Sequence, residues 1–292
     1  MENELIVETD IGHDPDDFFA LCYLFSAGVD IRAILLTPGD ESQVAIVKFL
    51  INELSPNTLI GVPLIGRHRE EPTSVHRQLL EKYKYPLHSS ECLLSEGLLN
   101  DRLHPVTELF ICGAVKNIGR YLSTHQVQIT KATMQGGFIG YDEHGIKVPQ
   151  LDKFKGRNTV ATFNLNGDVK GSTAFLEANI QERRFVSKNV CHTIVYNTDV
   201  HRRVMQTPPR NRASELLREG MGLYLKRHPK GKKFHDPSAA VCHLHPEIAT
   251  WVNAKLYREK GQWGAHVNGT TNDKIIVDID YDKLWEHIAE SI

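Results

Sequence analysis

The chain has 292 residues, 41% of them hydrophobic and 24% charged, with a formal net charge of -2. That is the make-up of an ordinary globular protein, long enough for one large α/β core or two small domains. The near-neutral balance gives no reason to expect a nucleic-acid or membrane-surface partner, and no apolar run reaches the length of a membrane span.

The acidic start, Met-Glu-Asn-Glu, passes at once into an apolar run, Leu5-Ile6-Val7, so it does not read as a signal peptide. The run predicts a buried strand. After it comes Glu8-Thr9-Asp10-Ile11-Gly12-His13-Asp14-Pro15-Asp16-Asp17, then an apolar stretch from Phe18 to Phe25 that predicts a buried helix. Four aspartates therefore crowd one strand-to-helix turn. Such charges repel strongly unless a cation sits among them, and an oxygen-only donor set suits a hard ion such as Ca²⁺ or Mg²⁺. The plainer alternative is a solvated acidic turn that caps the helix and complements its dipole. An EF-hand is excluded, because its turn glycine would fall at Phe19, already inside the apolar helix.

Further on, 31–37 predicts a strand, 43–54 a helix, and 59–65 an apolar run weakened as a central strand by Pro63. Residues 66–104 read as a polar rim with one helical piece near 74–83. A strand at 109–112, a helix at 115–122 and an apolar run at 132–134 follow, then a polar loop at 138–158. Helices are expected at 169–178, 198–205 and 213–226, and a strand at 190–196. Lys230 to Lys233 reads as a solvated, mobile loop or lid. Asp236 and Pro237 suit the cap and first turn of a helix that continues through Cys242. Alternating stretches at 252–257 and 263–267, a strand at 275–279 and a helix at 281–288 close the chain. Asn166 and Asp168 read as a turn and helix cap. The five cysteines have no pairing or zinc spacing, which fits free thiols in a reducing cytosol and predicts a cytoplasmic protein.

Strands alternating with helices predict an α/β fold, one domain over 1–292, with a mainly parallel central sheet and helices on both faces. In such sheets ligands bind beyond the carboxyl ends of the strands. That rule gathers Asp10 to Asp17, Pro38-Gly39-Asp40, Cys112-Gly113 and Met134 to Gly137 onto one edge, and Asp236 would join them.

At these residues the chain resembles the nucleoside hydrolase family, often called inosine-uridine preferring. The family's Asp-x-Asp-Pro-Gly-x-Asp-Asp turn is matched by Glu8-Thr9-Asp10-Ile11-Gly12 and Asp16-Asp17, with Glu for the first Asp and two extra residues between the halves. His235-Asp236-Pro237, Met134-Gln135-Gly136-Gly137, Ala161-Thr162-Phe163-Asn164 and Ile111 to Asn117 echo further family segments, in the family's order. The resemblance implies the nucleoside hydrolase fold, Rossmann-like, and calcium-dependent hydrolysis of a ribonucleoside to free base and ribose in nucleoside salvage. It implies Ca²⁺ held by Asp10, Asp17, Asp236 and the carbonyl of Cys112, with Asp10 as general base. Asp16 and Asn164 would bind the ribose hydroxyls, and Asn158 would reach the 5′ end. Asp40 would lie near the ribose and base, and Met134 would line the ribose pocket. Thr162 replaces a glutamate that would contact the 5′-hydroxyl. The two-residue insertion leaves Asp14 as an alternative to Asp16. His235, beside Asp236, is the candidate acid for the leaving base, and His76 and His13 are further candidates for the pocket. The partner would be a small ribonucleoside, and the family commonly forms dimers or tetramers. A Mg²⁺-dependent phosphohydrolase and a non-catalytic nucleoside-binding regulator are the rival readings.

Overall fold

The computed structural model describes residues 4–12, 14–63, 72–140, 145–149 and 151–292. His13 and the end of the 59–65 run, both singled out from the sequence, lie outside them. A ten-stranded sheet dominates, in the order β11-β10-β12-β7-β6-β5-β1-β2-β3-β4. Its strands are β1 (Leu5–Thr9), β2 (Ile31–Leu36), β3 (Leu59–Val62), β4 (Leu93–Leu94), β5 (Glu108–Ile111), β6 (Ile129–Gln135), β7 (Ile180–Val186), β10 (Ala249–Glu259), β11 (Gln262–Val267) and β12 (Asp273–Ile279). From β4 through to β12 every pairing is parallel; β10 runs antiparallel to both β12 and β11. A separate two-stranded ribbon joins β8 (Val195–Tyr196) to β9 (Lys232–Lys233).

The mainly parallel α/β architecture expected from the sequence is the one observed, and its cause is visible in β1. Leu5 and Val7 enter one core with α1 (Asp16–Ser26), α2 (Glu41–Leu54), α10 (Arg212–Arg227), α11 (His235–Leu244) and α12 (Tyr281–Ser291). Ile6 enters the opposite core with α4 (Ser95–Arg102), α5 (Asn117–Leu122) and α7 (Val169–Glu177). A strand buried on both faces must be apolar throughout, which is why these strands read as continuous runs rather than alternations. α1 is nearly encircled by neighbours, so ten of its eleven residues are buried and it shows no polar face. Pro63 falls one residue past β3 and removes no ladder bond from it.

Two expectations are corrected. The strand expected over 190–196 is instead α8 (Lys188–Cys191) followed by the two residues of β8. The sheet strand of this region is β7, whose Gln181, Glu182, Arg183 and Arg184 hid it. Those charges are paired within the sheet: Arg183 is buried, bonds Asp273 at 2.6 Å and donates to the Phe175 carbonyl at 3.0 Å. Glu182 pairs with Arg184 and Lys274. The helix expected to be capped by Asp236 starts two residues earlier, at His235, with Phe234 at its cap position. Asp168 does cap α7, accepting from Gly171 N at 2.9 Å. Among the described residues no helix is long and apolar enough to cross a membrane.

Candidate active site

The strand order changes direction at β1. Strands β2, β3 and β4 lie on one side of it and β5, β6 and β7 on the other, which makes the β1–β5 junction the switch point where a crevice opens. The acidic turn leaves β1 at this point and Cys112-Gly113 leaves β5. The two strand ends touch: a Cβ on Gly113 would fall 2.6 Å from Asp10 N and 2.7 Å from the Thr9 carbonyl carbon, so only glycine fits.

A cavity of about 350 Å³ sits here, lined by Asp10, Asp14, Asp16, Asp17, Cys112, Gln135, Phe163, Asn164, His235 and Asp236. Asp16, Asp17 and Asp236 are buried. Each is fixed by its surroundings. Asp17, in the first turn of α1, accepts from Thr9 Oγ1 at 2.5 Å. Asp16 Oδ2 accepts the free first-turn N–H groups of His235 (3.0 Å) and Asp236 (3.2 Å), so a residue of α1 caps α11. That arrangement frees the Asp236 carboxylate for the cavity. Asp16 Oδ1, buried, has no partner among the described residues.

Burial and neighbouring carboxylates push these groups in one direction. Asp10 is pushed up to about 7 by burial, with Asp14, Glu8 and Asp16 adding to it. Asp16 reaches about 7 through burial, against the pull of Lys232. Asp17 rises well above the carboxylate range through burial and Asp10, and Asp236 does so through burial, Asp17, Asp16 and Asp10. Burial also raises the Cys112 thiol, and Asp17 and Asp236 add to this, so its sulfur is no nucleophile.

One cation already serves the site. Lys232, expected in a mobile solvated loop, is buried, with Nζ 2.8 Å from Asp14 Oδ2 and 3.8 Å from Asp16 Oδ2. The β8–β9 ribbon holds it there. Burial opposes its charge, but Asp16 and Asp14 outweigh that and hold the ammonium above its ordinary range. Asp14, the alternative to Asp16, is thus half-exposed and tied to Lys232, while Asp16 lies on the floor.

Asn164 Nδ2 donates to both the backbone oxygen and Oε1 of Gln135, each at 3.0 Å, which leaves the Asn164 side-chain oxygen for the cavity. His235 is pushed down to about 3 by burial and by Lys232, so its ring is neutral, and its buried Nε2 has no partner among the described residues. Phe163 is 69% exposed at the mouth.

Three expected residues do not line this cavity. Asp40 is the N-cap of α2; its Oδ1 accepts from Ser42 N, Ser42 Oγ and Gln43 N at 2.7–2.9 Å. Met134 is fully buried in the core beneath Gln135. Asn158 is exposed, with its carbonyl near Tyr257 on β10. His76 is fully buried behind the acidic turn, its Nδ1 2.9 Å from Thr73 Oγ1 and 3.2 Å from Gly12 O, so it braces the turn. Lys232, Gln135 and Phe163 were missed. A lysine in a Lys-Gly-Lys-Lys run and a glutamine ending a strand carry no local signal of a site.

Ca²⁺ would need several oxygen ligands around one point. The mutually repelling oxygens of half-buried Asp10 and buried Asp17 and Asp236 are the right donors. They are not drawn within 4.8 Å of one another, as two other triads among the described residues are: Cys191–His192–His235 and His245–Glu247–His287.

The fold is that of the nucleoside hydrolases. A plant nucleoside hydrolase superposes with a TM-score of 0.73 over 100% of this chain and 99% of its own, at 14% identity. A purine-preferring ribonucleoside hydrolase from Gardnerella vaginalis gives 0.69, at 14% identity, over 99% of this chain and 97% of its own. An inosine-uridine preferring nucleoside hydrolase from Bacillus anthracis gives 0.68, also at 14%, over 99% and 98%. At such identities the likeness establishes the fold. In sequence, the chain is 30% identical over 290 residues to an uncharacterized protein of Aquifex aeolicus (strain VF5), covering 94% of each, and it belongs to the same family as that protein. No protein-family model matches the chain.

Proposed function

We propose that the chain hydrolyses the N-glycosidic bond of a ribosyl compound, giving free base and ribose, with one Ca²⁺ held by Asp10, Asp17, Asp236 and the Cys112 carbonyl. The observation that carries this is the set of carboxylates facing one cavity at the switch point, short of protein donors, with buried Asp16 Oδ1 unpartnered among the described residues. Carboxylates left so are costly unless a ligand completes them. The ion, when bound, supplies neutralising charge and polarises water and sugar hydroxyls.

Asp10, held deprotonated by the ion, would take a proton from water that the ion polarises. Asp16 would accept a ribose hydroxyl on Oδ1 while Oδ2 stays on α11, and the Asn164 side-chain oxygen would accept from the neighbouring hydroxyl. As the bond to the base breaks, positive charge grows on the sugar, and the floor carboxylates stabilise it in a partly dry site. His235, held neutral, would assist the departing base by a hydrogen bond at Nε2, not by donation from an imidazolium. Phe163 offers the base an exposed ring at the mouth.

The test is a panel of neutral and phosphorylated ribosyl compounds incubated with Ca²⁺ and chromatographed for free base. Free base that disappears with a chelator is expected. No free base from any member overturns the proposal.

A further inference from the structure

Beside the acidic floor stands a group of basic side chains, three of them lysines, that this mechanism leaves unused. Lys153 lies in the single-turn helix Asp152–Phe154, Lys188 opens α8 straight after β7, His192 follows α8, and Lys233 ends the short strand β9. Distant stretches of chain are brought together. Lys153 Nζ is 2.7 Å from His192 Nδ1, and the His192 ring lies 4.4 Å from that of His235, a cavity residue. Lys188 Nζ donates to the Ala161 carbonyl at 2.8 Å, immediately before Thr162 and Phe163.

Among the described residues no carboxylate pairs with Lys153, Lys188 or Lys233, although the neighbouring Lys232 is paired with Asp14. The cations act on one another instead. Burial, Lys233 and Lys188 push Lys153 down to about 8, and burial followed by His235 and the lysines pushes His192 down to about 2. Like charges gathered without a counter-ion mirror the floor, with the sign reversed. Cys191, His192 and His235 have the spacing of a metal triad, but three lysines crowd them and burial pushes the Cys191 thiol up to about 12, so a cation is disfavoured there. Thr162, next to the carbonyl that Lys188 holds, brings no negative charge to offset the lysines.

We propose that Lys153, Lys188 and Lys233, with His192, form a subsite for an anionic group, phosphate or carboxylate, carried by the substrate, so that the preferred ribosyl compound is an anion and not a neutral nucleoside. This rests on the hydrolytic reading above. The anion has two possible sources, a 5′-phosphate on the sugar or an acidic base. Lysine suits either as a mobile point charge.

The test compares kcat/KM for uridine, uridine 5′-monophosphate and uridine 6-carboxylate, each with Ca²⁺, in the native protein and in a Lys153→Met/Lys188→Met variant. One anion is expected to exceed uridine by at least about tenfold, and the variant should bring the two close to parity with its thermal midpoint kept. The winning anion identifies the source. Equal values for all three compounds, or a preference that survives the double substitution, would overturn the subsite. Calorimetry of ribose 5-phosphate against ribose gives a readout free of turnover. If no free base forms but ribose 5-phosphate binds more tightly than ribose, and the variant loses that margin, the hydrolytic reading fails while a phosphate subsite stands. Equal binding together with no anion preference in turnover overturns the subsite alone.

Discussion

Glu8 and Asp10 leave the same strand two residues apart, Glu8 fully buried and Asp10 half-buried at the cavity. Their fates are opposite. Glu8 is met by the protein itself: Oε1 accepts from Lys116 N, Asn117 N, Asn117 Nδ2 and Thr37 Oγ1 at 2.6–3.2 Å, and Oε2 from Ile118 N at 3.0 Å. It closes the start of α5. Asp10 faces other carboxylates across the cavity and is given no comparable set of donors. Both are pushed up to about 7 by burial. A raised carboxylate alone therefore does not mark a site; what separates the two is whether the chain supplies the donors. Glu8 is satisfied by the chain, and Asp10 is left for the ligand of the proposed site.

The sharpest way to break this contrast is Asp10→Asn. Turnover should fall by at least about 10³-fold, because the amide cannot accept the proton, while the thermal midpoint of the metal-free protein stays level or rises. A folded variant with near-native kcat would remove Asp10 from the role of base. Glu8→Ala should do the reverse, costing about 3 kcal/mol in urea unfolding as buried donors lose their acceptor. A loss below about 1 kcal/mol would show that water replaces the carboxylate. Next in size is the sugar. At equal concentration a 2′-deoxyribosyl substrate should lose at least about 10² in kcat/KM, since Asp16 Oδ1 would stay unpaired. Parity would withdraw the role given to Asp16.

The smallest expected effect is on stability against pH. Asp10 and Asp16 titrate near 7 in the fold, above the ordinary carboxylate value of 3.8, so the fold binds their protons more tightly than the unfolded chain does. Their contribution is present below the ordinary carboxylate range and is lost as pH rises through about 7. Without metal, the thermal midpoint should drop by about 3 °C or more between mildly acidic and mildly alkaline buffer. Ca²⁺ should restore it, with a larger increment on the alkaline side, because the ion binds the deprotonated groups. An increment that is independent of pH would count against a carboxylate site.

The same contrast explains what the sequence could and could not convey. Apolar runs such as Leu5 to Val7 announce strands buried on both faces, and the crowding of Asp10 to Asp17 announces a site, because both signals are local. β7 was hidden because Arg183 and Glu182 are neutralised by Asp273 and Lys274, which lie far away in the chain. Lys232 was hidden for the same reason, since its partner Asp14 is more than two hundred positions away. Asp40 was misjudged in the opposite sense: an aspartate after Pro-Gly beside a strand end resembles a site residue, and the Ser42 and Gln43 bonds make it a helix cap. Charge whose partner is remote in sequence reads as solvent-facing, and charge whose partner is near can pass for function.

Gly113 carries one more consequence. At that point backbone rests on backbone, with no room for a further carbon between the end of β5 and the Thr9–Asp10 peptide. The gap across the floor is thus a hard stop and cannot be widened by degrees, since the smallest available change, Gly113→Ala, already collides with main chain on both atoms. Phe163, exposed at the mouth, meets no such limit. A lineage descending from this chain would have to diversify from the top of the pocket downwards, altering what is admitted long before altering where the water stands.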